Sequence, residues 1–213
     1  MFTNMQIFAA PLAGITDRPF RRVLRMFSPD APMVTEMISC HSIVGAHKNC
    51  LRNFDRYDDE GNIGAQIFGA NVELMADAAR ILQDAGAKWI DINMGCPAPK
   101  VASSGGGALL MKDPVLAAEI VKAVTAVSTV PVTVKMRTGW DEGSINAPEL
   151  AKRLEAVGAA MITVHGRTRK QMYSGEIDYA TIREVKKAVK IPVVGNGNIV
   201  DGQSAKYMYE VTG

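Results

Sequence analysis

Short apolar runs rich in β-branched residues alternate with longer segments of helical period along this chain, and that alternation constrains the fold more than any other property. The unit repeats about every 25 to 30 residues, the length of one strand with its covering helix. Strands are expected at 7–13, 33–38, 63–68, 89–93, 132–136, 161–164 and 192–195. Helices are expected at 72–85, 114–127, 147–157, 179–189 and 204–211, and Asp113-Pro114 places an N-cap before a proline at the first helical position. Because strands lead into helices throughout, neighbouring strands must run parallel with helices covering them.

Two architectures satisfy this order, an open doubly wound sheet and a closed barrel. They differ in where reactive residues fall. An open sheet gathers its site at one switch point, whereas a barrel uses the C-terminal ends of many strands. Here nearly every strand end carries reactive or small residues: Pro11-Leu12-Ala13-Gly14, Glu36, Gln66, Asn93 with Cys96, Lys135 with Arg137, His165 with Arg167, and Gly195-Asn196-Gly197-Asn198. The expected fold class is therefore α/β of the (β/α)8 TIM-barrel type, with about seven βα units. Residues 1–213 read as one domain, and the last helix runs into Thr212-Gly213 where an eighth strand would begin, so the barrel is expected to be incomplete at its C-terminus.

Composition excludes several classes. At 213 residues and 47% hydrophobic, the chain can bury one sizeable core. A formal charge of +2 is too small to attract a polyanion through bulk electrostatics, so any nucleic-acid contact depends on where the charges sit. Cys40, Cys50 and Cys96 form no C-x-x-C pair, which argues against a disulfide scaffold or zinc ribbon and suits a reducing cytoplasm. With so few Cys and His, no metal site is expected. No secretory leader is visible, and no uncharged run reaches the roughly 18 to 20 residues of a membrane helix.

Cys96 is the leading candidate for chemistry. Gly95 and Pro97 flank it in a loop that continues into Ser103-Ser104-Gly105-Gly106-Gly107. An ordinary thiol titrates near ~8.5, so at neutral pH it can donate a proton. The reading as a small buried hydrophobe suits Cys40 and Cys50 better. Lys135 follows the apolar run Val132-Thr133-Val134, where an ammonium can offset negative charge on a ligand or pair with a neighbouring carboxylate. His165 holds the same position one strand later and is read either as a site residue or as a satisfied structural histidine. Gln66 offers an amide to the edge of a pyrimidine-like ring. Gly195-Asn196-Gly197-Asn198 lies where such barrels bind phosphate through backbone N–H groups, or is a turn needed for geometry alone. With no Rossmann or Walker glycine pattern present, a bound phosphate belongs to a mononucleotide. Arg18, Arg21, Arg22 and Arg25 share one helix face and read as a solvated stripe. Arg167, Arg169 and Lys170 sit at the functional end, where cations meet an RNA backbone.

The runs at 10–17, 91–97, 134–140 and 164–168, including Asn93-Met94-Gly95-Cys96-Pro97 and Val164-His165-Gly166-Arg167-Thr168, resemble the tRNA-dihydrouridine synthases, nearest their bacterial B-type branch. The resemblance runs in order from residue 7 to about residue 199. It implies an FMN-dependent barrel in which NADPH reduces the flavin, hydride passes to C6 of a tRNA uridine, and a cysteine protonates C5. Carried onto this chain, Cys96 is the proton donor. Pro11, Leu12 and Ala13 lie against the flavin, Gln66 bonds its pyrimidine edge, and Lys135 faces N1 and the C2 carbonyl. Asn93 lies beside the ring or substrate, Asn196, Gly197 and Asn198 hold the phosphate with His165 nearby, and Arg137, Arg167, Arg169 and Lys170 contact tRNA. The family's eighth strand and tRNA-gripping helical domain are not found in this chain, and Leu12 stands where methionine is common. Two other readings compete: a flavin barrel acting on a free pyrimidine, and a non-catalytic RNA-binding remnant.

Overall fold

A computed structural model describes residues 7–45, 54 and 60–213. The elements in chain order are α1 (Arg18–Phe27), β1 (Met33–Val34), β2 (Ile38–Ser39), α2 (Cys40–Gly45), β3 (Ile63–Phe68), α3 (Val72–Asp84), β4 (Ile90–Met94), α4 (Pro99–Ala102), α5 (Pro114–Val127), β5 (Val132–Arg137), α6 (Ala147–Ala156), β6 (Met161–His165), α7 (Tyr179–Ala188), β7 (Val193–Asn196) and α8 (Gly202–Thr212). Every pairing between these strands is parallel. The sheet runs β1-β3-β4-β5-β6-β7, with β2 also paired to β3. From β3 onward the spatial order is the chain order, without the reversal of a doubly wound sheet. Helices α3, α5, α6, α7 and α8 each pack against the next, forming one outer layer. This is the singly wound wall of a (β/α)8-type barrel, as the strand ends imply.

Period-2 alternation sorts each strand into two faces. Ile90, Ile92 and Met94 of β4, with Val132, Val134 and Met136 of β5, join a core with Met75, Ala79 and Leu82 of α3 and Ile120, Val121 and Val124 of α5. Each such side chain taken fully from water contributes roughly 1.5–3 kcal/mol, so this outer face supplies most of the driving force. Gln66, Asp91, Asn93, Thr133 and Lys135 point the other way, into the barrel. Side-chain caps start the helices: Asn71 accepts from Leu74 N, Asp113 from Leu116 N, and Asp178 from Thr181 N.

The N-terminal third departs from expectation. Segment 7–13 is not a strand. It makes a single bridge, Ala9 to Met33, because Pro11 has no N–H for a ladder and Leu12 O accepts from Ile15 N and Thr16 N in a turn. The expected strand at 33–38 is split into β1 and β2. Val34 pairs with Gly64 and Ile38 with Ile67, so four steps on one side face three on the other, a bulge at Thr35-Glu36-Met37. Thr35 Oγ1 accepts from Gln66 N at 3.2 Å in place of a ladder carbonyl.

The arginine stripe is not simply solvated. Arg21 is buried and forms a two-toothed ion pair with buried Glu60, at 2.8 and 3.3 Å. Arg25 donates to the carbonyls of Pro29, Ala31, Glu60 and Asn62, each at 2.7 Å. These two residues staple α1 to the chain before β1 and β3. Cys40 is fully buried, as expected of a small hydrophobe; Cys50 lies outside the described residues.

Candidate active site

The strand ends open into one cavity of about 550 Å³. Gln66 enters it from β3, Asn93 and Cys96 from β4 and its loop, Lys135 and Arg137 from β5, His165 and Arg167 from β6, and Asn196, Gly197 and Asn198 from β7. Pro11, Leu12 and Ala13 close it from the N-terminal turn. Residues separated by nearly the whole chain thus share one wall.

Cys96 is partly buried, and its backbone is held from both sides. Asn93 Oδ1 accepts from Gly95 N at 3.1 Å and Cys96 N at 2.9 Å, while Cys96 O accepts from Ala108 N at 3.0 Å. On the next strand, Lys135 Nζ donates to Asn196 Oδ1 at 3.0 Å. Burial pushes the Lys135 ammonium down to about 8, with Asp91 opposing the shift and Arg137 adding to it. At neutral pH it is still mostly a cation.

His165 has the opposite character. Burial, then the charges of Lys135, Arg137 and Arg167, push its imidazole down to about 3, so the ring is neutral at physiological pH. Its Nε2 is buried and has no hydrogen-bond partner among the described residues. Gly197 lies against this ring at φ +125°, and a Cβ there would sit 2.4 Å from Ile177 Cδ1 and 3.1 Å from the imidazole. Only glycine fits, and its bare backbone borders the cavity. Asn198 follows in the left-handed region at φ 54°, its Oδ1 accepting from Arg167 at 3.0 Å.

Arg137 and Arg167, expected to contact tRNA, are placed differently from Arg169 and Lys170. Arg137 is 2% exposed; it donates to the carbonyls of Gly95, Thr168 and Met172 at 2.7–2.8 Å, tying the Cys96 loop to the β6 loop. Arg167 is 5% exposed and donates to Gly175 O as well as Asn198. Both guanidiniums are wall elements rather than rim cations. Carbonyls distant in sequence claim them, which local pattern does not reveal. Arg169 instead stacks 4.7 Å from the Trp140 ring centroid, with Lys112 Nζ at 4.9 Å from the same ring, and Lys170 is exposed.

Met37 and Tyr173 also line the cavity, and neither stands out in the sequence as a site residue. Met37 arrives through the bulge. Tyr173 is 68% exposed beside the mouth, with Arg137 Cζ 5.7 Å from its ring. It follows Met172, which adopts φ 57° with its carbonyl held by Arg137. An aromatic set among the polar residues 168–175 was the available signal.

Fold and site together define an α/β barrel with a cysteine and a cationic wall at the C-terminal ends of its strands. The profile of the dihydrouridine synthase (Dus) family matches residues 8–213, and the chain belongs to that family. It is 44% identical over 211 residues to the probable tRNA-dihydrouridine synthase 1 of Synechocystis sp., covering 99% of this chain and 59% of that protein. Against tRNA-dihydrouridine synthase B of Pseudomonas syringae pv. tomato the identity is 43% over 208 residues, covering 97% and 61%. The chain therefore spans about three fifths of the length of these relatives. Among solved structures, morphinone reductase in complex with tetrahydroNAD superposes with a TM-score of 0.62 at 14% identity, over 98% of this chain and 80% of that one, a likeness of fold.

Proposed function

We propose that residues 1–213 form the cofactor-binding barrel of a flavin-dependent oxidoreductase that converts tRNA uridines to 5,6-dihydrouridine. The observation that carries this reading is the meeting of Cys96 and Lys135 in one cavity, with a neutral His165 and a bare Gly197 backbone in the same wall. The names of the relatives point the same way.

The residues fit FMN. The buried Nε2 of His165, without a partner among the described residues, and the glycine cradle suit its phosphate, and Lys135 suits the electron-rich edge of its ring. Pro11, Leu12 and Ala13 supply an apolar surface, while Gln66 and Asn93 supply amide groups. Bound there, FMN would supply the hydride chemistry for reduction of the uridine at C6, with NADPH as its reductant. Cys96 delivers the balancing proton to C5, and the Asn93 and Ala108 bonds hold its backbone for that transfer. Lys135 offsets negative charge that burial would otherwise disfavour.

The target base must leave its stack to reach Cys96. Tyr173 at the mouth offers a face for the extruded base, and Lys112, Arg169 and Lys170 around Trp140 meet backbone phosphates. A barrel acting on a free pyrimidine needs no such rim. Cytoplasmic tRNA is the partner this reading names. Among the described residues, no helix is long and apolar enough to cross a membrane, and no group of three His, Cys, Asp or Glu could hold a metal ion.

The test is Cys96→Ala. Flavin uptake and its bleaching by NADPH should persist, and dihydrouridine in tRNA should disappear. An unchanged product yield rejects Cys96 as the proton donor.

A further inference from the structure

Asp91 is a buried carboxylate that the proposed reaction does not use. It interrupts an apolar strand and is 3% exposed. Register places it between Gln66 of β3 and Thr133 of β5, and both donate to it: Gln66 Nε2 to Oδ2 at 2.6 Å and Thr133 Oγ1 to Oδ1 at 2.5 Å. Gln66 Oε1 accepts from Asn93 Nδ2 at 2.8 Å, and Asn93 Oδ1 accepts from the backbone N–H groups of Gly95 and Cys96. The chain of hydrogen bonds is unbroken from the carboxylate to Cys96.

The chain also has a direction. A primary amide has two orientations of nearly equal shape, with oxygen and nitrogen exchanged. An ionised carboxylate has acceptors only, so Gln66 must turn its NH2 toward Asp91 and its oxygen toward Asn93. Asn93 must then present its NH2 to Gln66 and its oxygen to the Cys96 loop. Reversed, Asn93 would aim N–H at N–H and leave the amides of Gly95 and Cys96 without an acceptor, which is costly in a partly buried loop. Burial raises the Asp91 carboxyl above its ordinary range, while the bonds from Gln66 and Thr133 and the nearby Lys135 cation favour its ionised form.

We propose that Asp91 is a positioning residue: as an acceptor-only anchor it sets the polarity of the Gln66–Asn93 amide pair and through it fixes the backbone of Cys96. The consequence for catalysis rests on Cys96 being the proton donor; the structural claim does not.

The experiment is amide hydrogen exchange by NMR on the 213-residue chain and its Asp91→Asn variant, with Asn93→Ala marking full release of the Gly95 and Cys96 amides. Asp91→Asn preserves size and lets either orientation of Gln66 find a partner. Exchange at Gly95 and Cys96 should speed up by about ten-fold, toward the Asn93→Ala rate, with amides of β5 and β6 unchanged. Should that variant fail to fold, Gln66→Leu cuts the link between Asp91 and Asn93 and should speed the same two amides, and unchanged exchange there likewise overturns the proposal. Unchanged exchange at Gly95 and Cys96 in the folded variant overturns the proposal, as does equal acceleration across β4, β5 and β6, which would mean a general structural role. If Cys96→Ala retains full product yield, the proton-donor reading falls while the exchange pattern still decides the role of Asp91.

Discussion

The two sides of the cavity are built on different terms. On the side formed by β3, β4 and the start of β5, Thr133, Asp91, Gln66, Asn93 and the Cys96 loop satisfy one another in a closed chain. On the β6–β7 side, His165 Nε2 has no partner among the described residues, all of β7 is only partly buried, and Gly197 exposes its backbone. The closed side costs little to keep rigid, because each buried polar group is already paired. The other side holds unpaired polarity whose cost a ligand would relieve. A reacting group belongs on the first and a bound anion on the second, and Lys135 joins them by bonding Asn196 from β5.

Substitutions can break this division, the largest effect first. Cys96→Ala should lower dihydrouridine formation by roughly 10²–10⁴-fold, the usual span for a general acid, while a flavin fluorescence titration stays unchanged. If flavin binding falls with activity, Cys96 itself helps hold the cofactor and the division fails.

Lys135→Met should weaken FMN binding by on the order of 10²-fold, since it removes the cation and the bond to Asn196. The pH dependence sharpens the point. The Lys135 pKa is lowered on folding to about 8, so between about 8 and the unfolded value of 10.5 the unfolded chain binds more protons. Stability of the ligand-free chain should therefore rise with pH across that window relative to Lys135→Met, by no more than about 3 kcal/mol. FMN affinity should fall across it as the cation is lost. Parallel trends in thermal melts and FMN titrations would contradict this assignment.

Gly197→Ala places a Cβ 2.4 Å from Ile177 at φ +125° and should cost about 1–3 kcal/mol, seen as a lower melting temperature and weaker FMN binding with the Cys96 alkylation rate unchanged. Arg169→Ala and Lys170→Ala, outside the cavity, should each weaken tRNA binding only a few-fold and reduce its salt slope by about one, without touching FMN.

Legibility followed the reach of each signal. Strands β3 to β7 fell within a residue or two of expectation because alternation and flanking helices are local properties. So did the gathering of Gln66, Asn93, Cys96, Lys135, His165 and Asn196, since a parallel barrel brings all strand ends to one rim. Segment 7–13 misled because its apolar character hid that Pro11 has no N–H for a ladder and that Leu12 O turns back to Ile15 N and Thr16 N. The arginine stripe misled because Glu60, the partner of Arg21, is 39 residues away in sequence. Arg137 and Arg167 sat at the expected strand ends, yet their donors turn to loop carbonyls rather than outward.

What the sequence determined by itself was the order of elements, their parallel pairing, the barrel class and the set of residues at its mouth, because periodicity and strand direction are written residue by residue. Tertiary structure alone decided which of those residues are paired and which are left open: that His165 is neutral with its Nε2 unbonded among the described residues, that Lys135 is shifted toward neutral pH, and that Asp91 reaches Cys96 through two amides. Burial and hydrogen-bond pairing depend on groups that meet only when the chain has folded, and no local pattern carries them.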